Sequence, residues 1–490
     1  MIMKWCRVFF SIVLVTVLFT FPLAAQEGDS EEPAADPETS SAESADEGTG
    51  GEGTEGEGTE EPDKGPEIDF GLTMGLGANT FNEDGEKITY QYISLLPELT
   101  IGKFGLGLDL TMNFRFTGGE SNDQFVIREE DWVLDDADDF LPTYLPKFRY
   151  IRWAQKGDPL YILFGQINNG TLGNGFIMSG YSNTLLLPDT PIFGLTFDMD
   201  GKLFNFPYVG IETMVGNLAA FDVMGGRLFF RPLAWWDVPV LQNLELGTTV
   251  VGDRDPYYHV EDGDFDDDGE QDSGSVVVAG ADFRLPILSL PVYSLATFGD
   301  IAFENEAAGG MFGIEGRFFE IIPYRGEIRI LGENFIPVYF DATYDLFRPL
   351  KYEIFSGEES VPGYVGWLGQ TGLSILDDKL GFLITLDGPF NPPEPENEDN
   401  FNNYPHLRAV FFMADGVIPG ISFNLTYDKK YLREFDDLID PEGAFVGATL
   451  GLRAGPAVIS LIYQLRYNPN IEGDNKWETT SGIQTSISLF

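Results

Sequence analysis

Cysteine, histidine and basic residues are scarce in this chain, and each scarcity removes a class of function. Of 490 residues, 1 is cysteine. It is Cys6, which precedes the first apolar run, whereas a lipid-bearing cysteine would follow that run. Cleavage after Ala25, expected from the residues described next, would remove it and leave a mature chain with neither a disulfide framework nor a thiol nucleophile. The 2 histidines are His259 and His406. No zinc-ligand spacing, P-loop or dinucleotide-binding glycine fingerprint is present. His259 stands in DRDPYYHVEDGD beside Asp253, Asp255, Glu261 and Asp262. An acid–histidine pair there would need a substrate site around it, and a surface histidine is the simpler reading. The chain is therefore not expected to be an enzyme. Lys and Arg total 29 against 79 Asp and Glu, a net charge of −50. Binding to nucleic acid needs a basic footprint, so that class of partner is excluded. No long stretch carries apolar residues at helical spacing.

What is present begins with a secretory signal. Lys4 and Arg7 are followed by an apolar run, Val8 to Phe21, and by Pro22-Leu23-Ala24-Ala25. The run is short for a spanning helix, and the small residues after Pro22 suit cleavage, so residues 1–25 are expected to be removed. Gln26 to Pro66 is acidic, low in complexity and free of aromatic residues. It cannot bury enough apolar surface to offset its ordering entropy. Residues 26–66 therefore read as a disordered tether or a passive spacer.

From Glu67 the text changes to period two. Phe70, Leu72, Met74, Leu76 and Ala78 alternate with Gly71, Thr73, Gly75, Gly77 and Asn79. Ile421, Phe423, Leu425 and Tyr427 alternate with Ser422, Asn424, Thr426 and Asp428. Successive side chains of a strand point to opposite faces, so this is strand and not helix. The high counts of Gly (57), Phe (41) and Tyr (20) agree with an all-β fold. A sandwich or propeller turns the apolar face inward, and a membrane barrel turns it toward lipid. Strand length favours the barrel, because a tilted span needs about 9–11 residues. So do the Gly, Thr, Asn and charged residues on the second face. Short turns at 200–202, 377–379 and 455–456 also alternate with long polar loops at 117–145, 168–190, 255–274, 389–405 and 430–441. Threading these segments back from the C-terminus places every long loop outside if 346–349 is a turn between two short strands. The count is then about 22, or about 18–20 if ambiguous strands merge, and it should be even.

The signal, the alternating strands over 67–490 and the terminal TSISLF resemble Gram-negative outer-membrane β-barrel proteins. The likeness is greatest to large porin-like barrels, spirochaetal ones among them. It implies an outer-membrane location, contact with lipid, insertion by the barrel-assembly machinery and passage of small solutes. The last strand departs from the family pattern, since Ile483, Ile487 and Leu489 are out of phase with Phe490. An apolar exterior suits lipid and a neighbouring subunit alike, so the oligomeric state stays open.

In such a barrel the second face lines the lumen. Asp282 and Arg284 alternate with Ala281 and Phe283. Arg325, Glu327 and Arg329 alternate with Ile328 and Ile330, and Asp341 and Asp345 with Phe340, Ala342 and Tyr344. An Arg or Lys facing lipid at the midplane costs about 2–4 kcal/mol. These seven residues are therefore candidate pore-lining groups, which either sort ionic solutes or pair off and brace the wall. The excess of acids beyond residue 67 points to a weak cation preference. Segment 168–185, NNGTLGNGFIMSGYSNTL, is rich in Gly, Asn and Ser and nearly uncharged. It is the candidate for an inward-folded constriction, an external loop being the alternative.

The run DGDFDDDGEQD at 262–272 places Asp264, Asp266, Asp268 and Asp272 around Gly269. Calcium takes six to eight oxygens, and alternate aspartates about a glycine supply them. Position twelve of an EF-hand would be a glutamate and is here Ser275, so the run resembles shorter aspartate-rich calcium repeats. It is read either as a calcium site or as a hydrated external loop. Three functions remain: a channel for small hydrophilic solutes, a surface adhesin or receptor with acidic loops, and a transporter of hydrophobic substrates.

Overall fold

Period-two alternation builds one closed wall. The computed structural model describes residues 68–83, 86–117, 124–132, 140–188, 190–236, 238–259, 274–376, 378–391, 405–432, 434–440, 442–468 and 476–488. All lie in the unit Lys64–Phe490. The expected signal peptide and tether fall outside them, as do Leu489 and Phe490.

The first quarter of the wall holds β1 (Ile68–Glu83), β2 (Glu86–Ile101), β3 (Phe104–Leu108), β4 (Leu110–Thr117), β5 (Gln124–Ile127), β6 (Phe148–Trp153) and β7 (Leu160–Gly165). It continues through β8 (Gly194–Asp200), β9 (Val209–Val215), β10 (Val223–Phe230), β11 (Glu245–Asp253), β12 (Val276–Ser289), β13 (Tyr293–Glu304), β14 (Ala307–Phe318) and β15 (Ile322–Leu331). The remainder is β16 (Tyr364–Ile375), β17 (Leu380–Pro389), β18 (His406–Ile418), β19 (Ile421–Lys429), β20 (Ala444–Ala454), β21 (Ala457–Tyr467) and β22 (Trp477–Ser488). β3 and β4 both pair with β2 and form one wall strand broken at Asp109. β5 on β4 and β6 on β3 make up the next. β1 closes the ring on β22, from Gly71↔Ser488 to Ala78↔Ser481. The result is a closed antiparallel barrel of 20 strands. Ring closure pairs the first strand with the last, so neither ends the sheet as an open edge.

The start of β1 and the end of β22 lie at one rim, since the wall has an even number of strands. The long connections 166–193, 254–275, 332–363, 390–405 and 430–443 all leave from the other rim. Short turns such as 290–292, 319–321, 419–420 and 455–456 close the rim at the chain ends. Two expectations need correction there. Residues 117–145 are not a single external loop, because β5 lies within them and continues the wall. Residues 346–349 are not a turn between strands. They belong to helix α2 (Tyr344–Ser356), α1 being the short Phe140–Tyr144. Asp341 and Asp345 therefore do not alternate along a strand: Asp341 precedes the helix and Asp345 sits in its first turn. Helix α2 is buried on most sides and contains Pro349, so it shows neither a clean apolar stripe nor an uninterrupted run. Its stop was readable: Gly357 takes φ 89° and donates its N–H back to Glu353 and Ile354.

The faces of the wall differ as a membrane barrel requires. Outward residues include Leu76, Leu228, Val250, Val277, Ile301, Phe312, Val365 and Ile483, all exposed. At the turn rim Phe204, Phe206, Trp235 and Trp236 are exposed as well. Among the described residues no helix is long and apolar enough to cross a membrane.

Candidate functional site

The lumen is crossed by the segment between β7 and β8. Gly170 and Tyr181 exchange backbone hydrogen bonds at 2.8 and 3.0 Å, which closes 170–181 into a small hairpin. Its glycines permit this geometry. Gly180 has φ 73°, and a Cβ there would meet the Arg408 guanidinium at 2.3 Å. The neck is held by Asn183, which accepts from Ile167 N at 2.8 Å and donates to Gly216 O at 2.9 Å. The tip reaches the wall. Gly173 N donates to Glu212 on β9, and Asn174 Nδ2 donates to Phe283 O and Asp300 Oδ2, both at 3.0 Å. Arg325 Nη2 donates to Asn174 O at 2.6 Å. Further along, Arg466 on β21 donates to the carbonyls of Leu185 and Leu187. β9 and β21 lie far apart around the ring, so the segment spans the interior.

A second inward segment, 332–363, packs on the first. Met178 and Phe340 form a parallel bridge, with Phe340 N donating to Ile177 O at 3.1 Å. Phe176 stacks on Phe335 at 5.5 Å between centroids. These side chains join Val251, Val276, Val278 and Phe298 of the wall in one buried apolar cluster. Each such aromatic or aliphatic burial stabilises by about 1.5–3 kcal/mol. The arc from β9 to β15 is thus filled by a packed core and not by water alone.

Helix α2 brings charge into this core. Arg348 holds Asp253 of β11 and Asp222. It also lies 3.8 Å from Asp345. Burial pushes Asp345 up to about 7; Arg348 opposes this, while Asp222 and Asp253 reinforce it. Burial pushes the Lys351 amine down to about 8 against the pull of Asp341. Burial alone would raise Asp341, but Lys351 and Lys430 override it and hold its carboxyl well below the usual range. Asp341 and Asp345 thus belong to the buried grip of the inward segment on the wall.

The other five candidates share the inward face of β12 and β15, two strands of the wall separated by β13 and β14. On β15, Ile328 and Ile330 are 54% and 65% exposed, whereas Glu327 and Arg329 are 4% and 3% exposed. Arg325 and Arg329 both hold Glu327, and Arg329 also reaches Asp387 on β17 at 3.2 Å. Asp282 accepts two hydrogen bonds from Arg227, which also pairs with Glu212 and Glu245. Arg284 pairs with Glu315. Glu327 thus links two arginines of its own strand, while Asp282, Arg284, Arg325 and Arg329 also pair with residues of other strands.

A polar cavity of about 480 Å³ remains beside β6 and β7. Its lining includes Glu98, Arg149, Tyr150, Arg152, Lys156 and Tyr161. Register pairing Gly105↔Arg152↔Leu163↔Thr196↔Met214 puts Arg152 on the lumen side, since Met214 belongs to the interior core. The FGLGL of β3 makes room: a Cβ on Gly107 would stand 2.7 Å from the Tyr150 ring. A register shift opposite Gly107/Leu108 inserts Arg149 as an extra residue, and Arg149 pairs with Glu98. Sequence reasoning passed over this patch, although Tyr150 and Arg152 alternate with Ile151 and Trp153 in FRYIRW. It also passed over Arg227 and Arg348.

His259 is half-buried and not the surface histidine expected, its Nε2 is shielded with no partner among the described residues, and desolvation, aided by Arg348, lowers its pKa well below the ordinary value. Its neighbour Asp253 is taken by Arg348 and Tyr344. His406 contacts Asp428 at 2.9 Å, on the wall. Asp264, Asp266, Asp268 and Asp272 lie outside the described residues. Among those described, no group of three metal-ligating side chains occurs.

No family model and no curated protein sequence matches the chain. Among solved structures it aligns with Wzi of Escherichia coli, an outer-membrane protein involved in group 1 capsule assembly and a carbohydrate-binding β-barrel. That alignment has 14% identity and a TM-score of 0.33, and covers 86% of this chain and 85% of that one. It also aligns with OccK2 (OpdF) of Pseudomonas aeruginosa at 8% identity and a TM-score of 0.31, over 87% and 100% of the two chains. OprD, an outer-membrane protein of the same organism, aligns at 9% identity and a TM-score of 0.31, over 86% and 93%. By its own strand pairing the chain forms, over the described residues, a closed antiparallel barrel of 20 strands.

Proposed function

We propose that the protein is an outer-membrane barrel that passes small hydrophilic solutes through a lumen narrowed by the segment 166–193. The carrying observation is the inversion on β15, with Ile328 and Ile330 outside and Glu327 and Arg329 inside. A soluble barrel would reverse it, because exposed apolar belts are otherwise aggregation surfaces. Selection then comes from the width left beside the crossing segment and from local charge. The described lumen acids at Glu212, Asp282, Glu315, Glu327 and Asp387 are in ion pairs with arginines. The weak cation preference expected from total charge therefore lacks a local carrier among them.

The packed core of the arc β9–β15 favours a second reading, a closed surface receptor whose loops bind ligand. Swelling of proteoliposomes separates the two. The channel predicts swelling in an isotonic monosaccharide and slower swelling in a trisaccharide. No swelling in either leaves the receptor.

A further inference from the structure

Most arginines of the described lumen hold a carboxylate. Arg227, Arg284, Arg325, Arg329, Arg348 and Arg466 each do so within ion-pair distance. Arg152 on β6 holds none among the described residues. Its Nη1 reaches only Gln155 Oε1 at 3.5 Å, and its Nε is shielded from solvent with no hydrogen-bond partner. An unmet, partly desolvated guanidinium is costly unless an acceptor arrives. It lines the 480 Å³ cavity together with Tyr150, Gln155, Tyr161, Gln166 and Asn168.

The other cations there are already engaged. Arg149 pairs with Glu98, and Lys156 lies 3.6 Å from Asp198 and donates to Thr171 O at 3.1 Å. The cavity therefore offers one uncommitted positive charge, set among amide and phenol groups that match hydroxyls. A cavity of this size suits a small solute. A guanidinium fork matches a carboxylate through two parallel hydrogen bonds. One net charge fits a monoanion better than a phosphate dianion.

We infer that this cavity is a lumenal subsite for a small hydroxylated monocarboxylate, with Arg152 holding the carboxylate and Tyr150, Gln155, Gln166 and Asn168 facing the hydroxyls. The inference rests on reading the lumen as a solute path. It gives the path a substrate class that the acidity of the whole chain conceals.

The test is calorimetric titration of the refolded full chain in micelles with gluconate, glucose and inorganic phosphate. Gluconate should bind at least roughly tenfold more tightly than glucose, and more tightly than phosphate. Arg152→Gln should weaken gluconate binding roughly tenfold or more, and Arg152→Lys should recover part of it. If Arg152→Gln does not refold, Gln155→Ala and Gln166→Ala should each weaken gluconate binding. Equal gluconate affinity in wild type and variants, or glucose binding as well as gluconate, would overturn the assignment. Tighter binding of phosphate would do so too. Bilayer recordings on the same preparation separate this inference from the channel itself. Arg152-dependent binding in a silent barrel would keep the site and sink the channel. Conductance with no gluconate binding would keep the channel and sink the site.

Discussion

The guanidinium of Arg348 grips Asp253 with two hydrogen bonds, Nε to Oδ2 at 2.9 Å and Nη2 to Oδ1 at 2.8 Å. One residue belongs to helix α2 of an inward segment and the other to wall strand β11. The pair fastens the segment to the barrel from within. Arg348 also donates to Asp222 Oδ2 at 2.9 Å, so its removal would strand two buried carboxylates.

Arg348→Ala should therefore cost about 3–5 kcal/mol of local stability, the usual penalty for leaving a buried charge unpaired. Hydrogen exchange would show it as lost protection across 344–356, with β1 and β2 unchanged. Wild-type protection in α2 would contradict the grip.

Asp345 gives that grip a pH dependence. Burial, reinforced by Asp222 and Asp253 and opposed by Arg348, pushes its pKa up to about 7. The folded state then binds the proton more tightly than the unfolded chain, whose Asp titrates near about 3.9. The contribution to stability is full below the unfolded value and is lost as pH rises through about 7. The barrel should resist heat better at pH 6 than at pH 8, and Asp345→Asn should narrow the gap. A melting temperature in Asp345→Asn with the wild-type pH slope would reject the assignment.

The crossing hairpin should limit flow. Deleting residues 170–181 should raise single-channel conductance roughly twofold or more, because pore width sets passage. An unchanged conductance would mean that solutes take a route the hairpin does not narrow.

Arg325 and Arg329 flank Glu327 on the inward face of β15. Replacing both with Ala leaves Glu327 and Asp387 without their arginines. The reversal potential in a salt gradient should move toward cation selectivity. A reversal potential equal to wild type would remove these residues from the ion path.

Alternation made the wall legible. Period two on β15 and β12 placed Arg325, Glu327, Arg329, Asp282 and Arg284 on the face opposite Ile328, Ile330 and Phe283, because side-chain direction in a strand is local. The parity of the strands followed from the same pattern, whereas the placing of the loops leaned on a turn at 346–349 that is part of helix α2. Helix α2 was hidden for a physical reason: a helix buried on most sides presents Arg348 and Lys351 inward beside Phe347 and Ile354, and no stripe survives. Asp341 and Asp345 were misread with it. Partnership was equally invisible, since Arg227 and Asp282 are far apart in sequence and meet only through the register of β10, β11 and β12. The composition of 168–185 did carry a signal, as its glycines and asparagines are the residues that turn and anchor the hairpin.

Whether the barrel conducts is read directly by planar-bilayer recording of the refolded protein. An open lumen gives steady, discrete, ion-conducting steps whose size rises when 170–181 is removed. A correctly folded barrel that stays silent in both forms would contradict it.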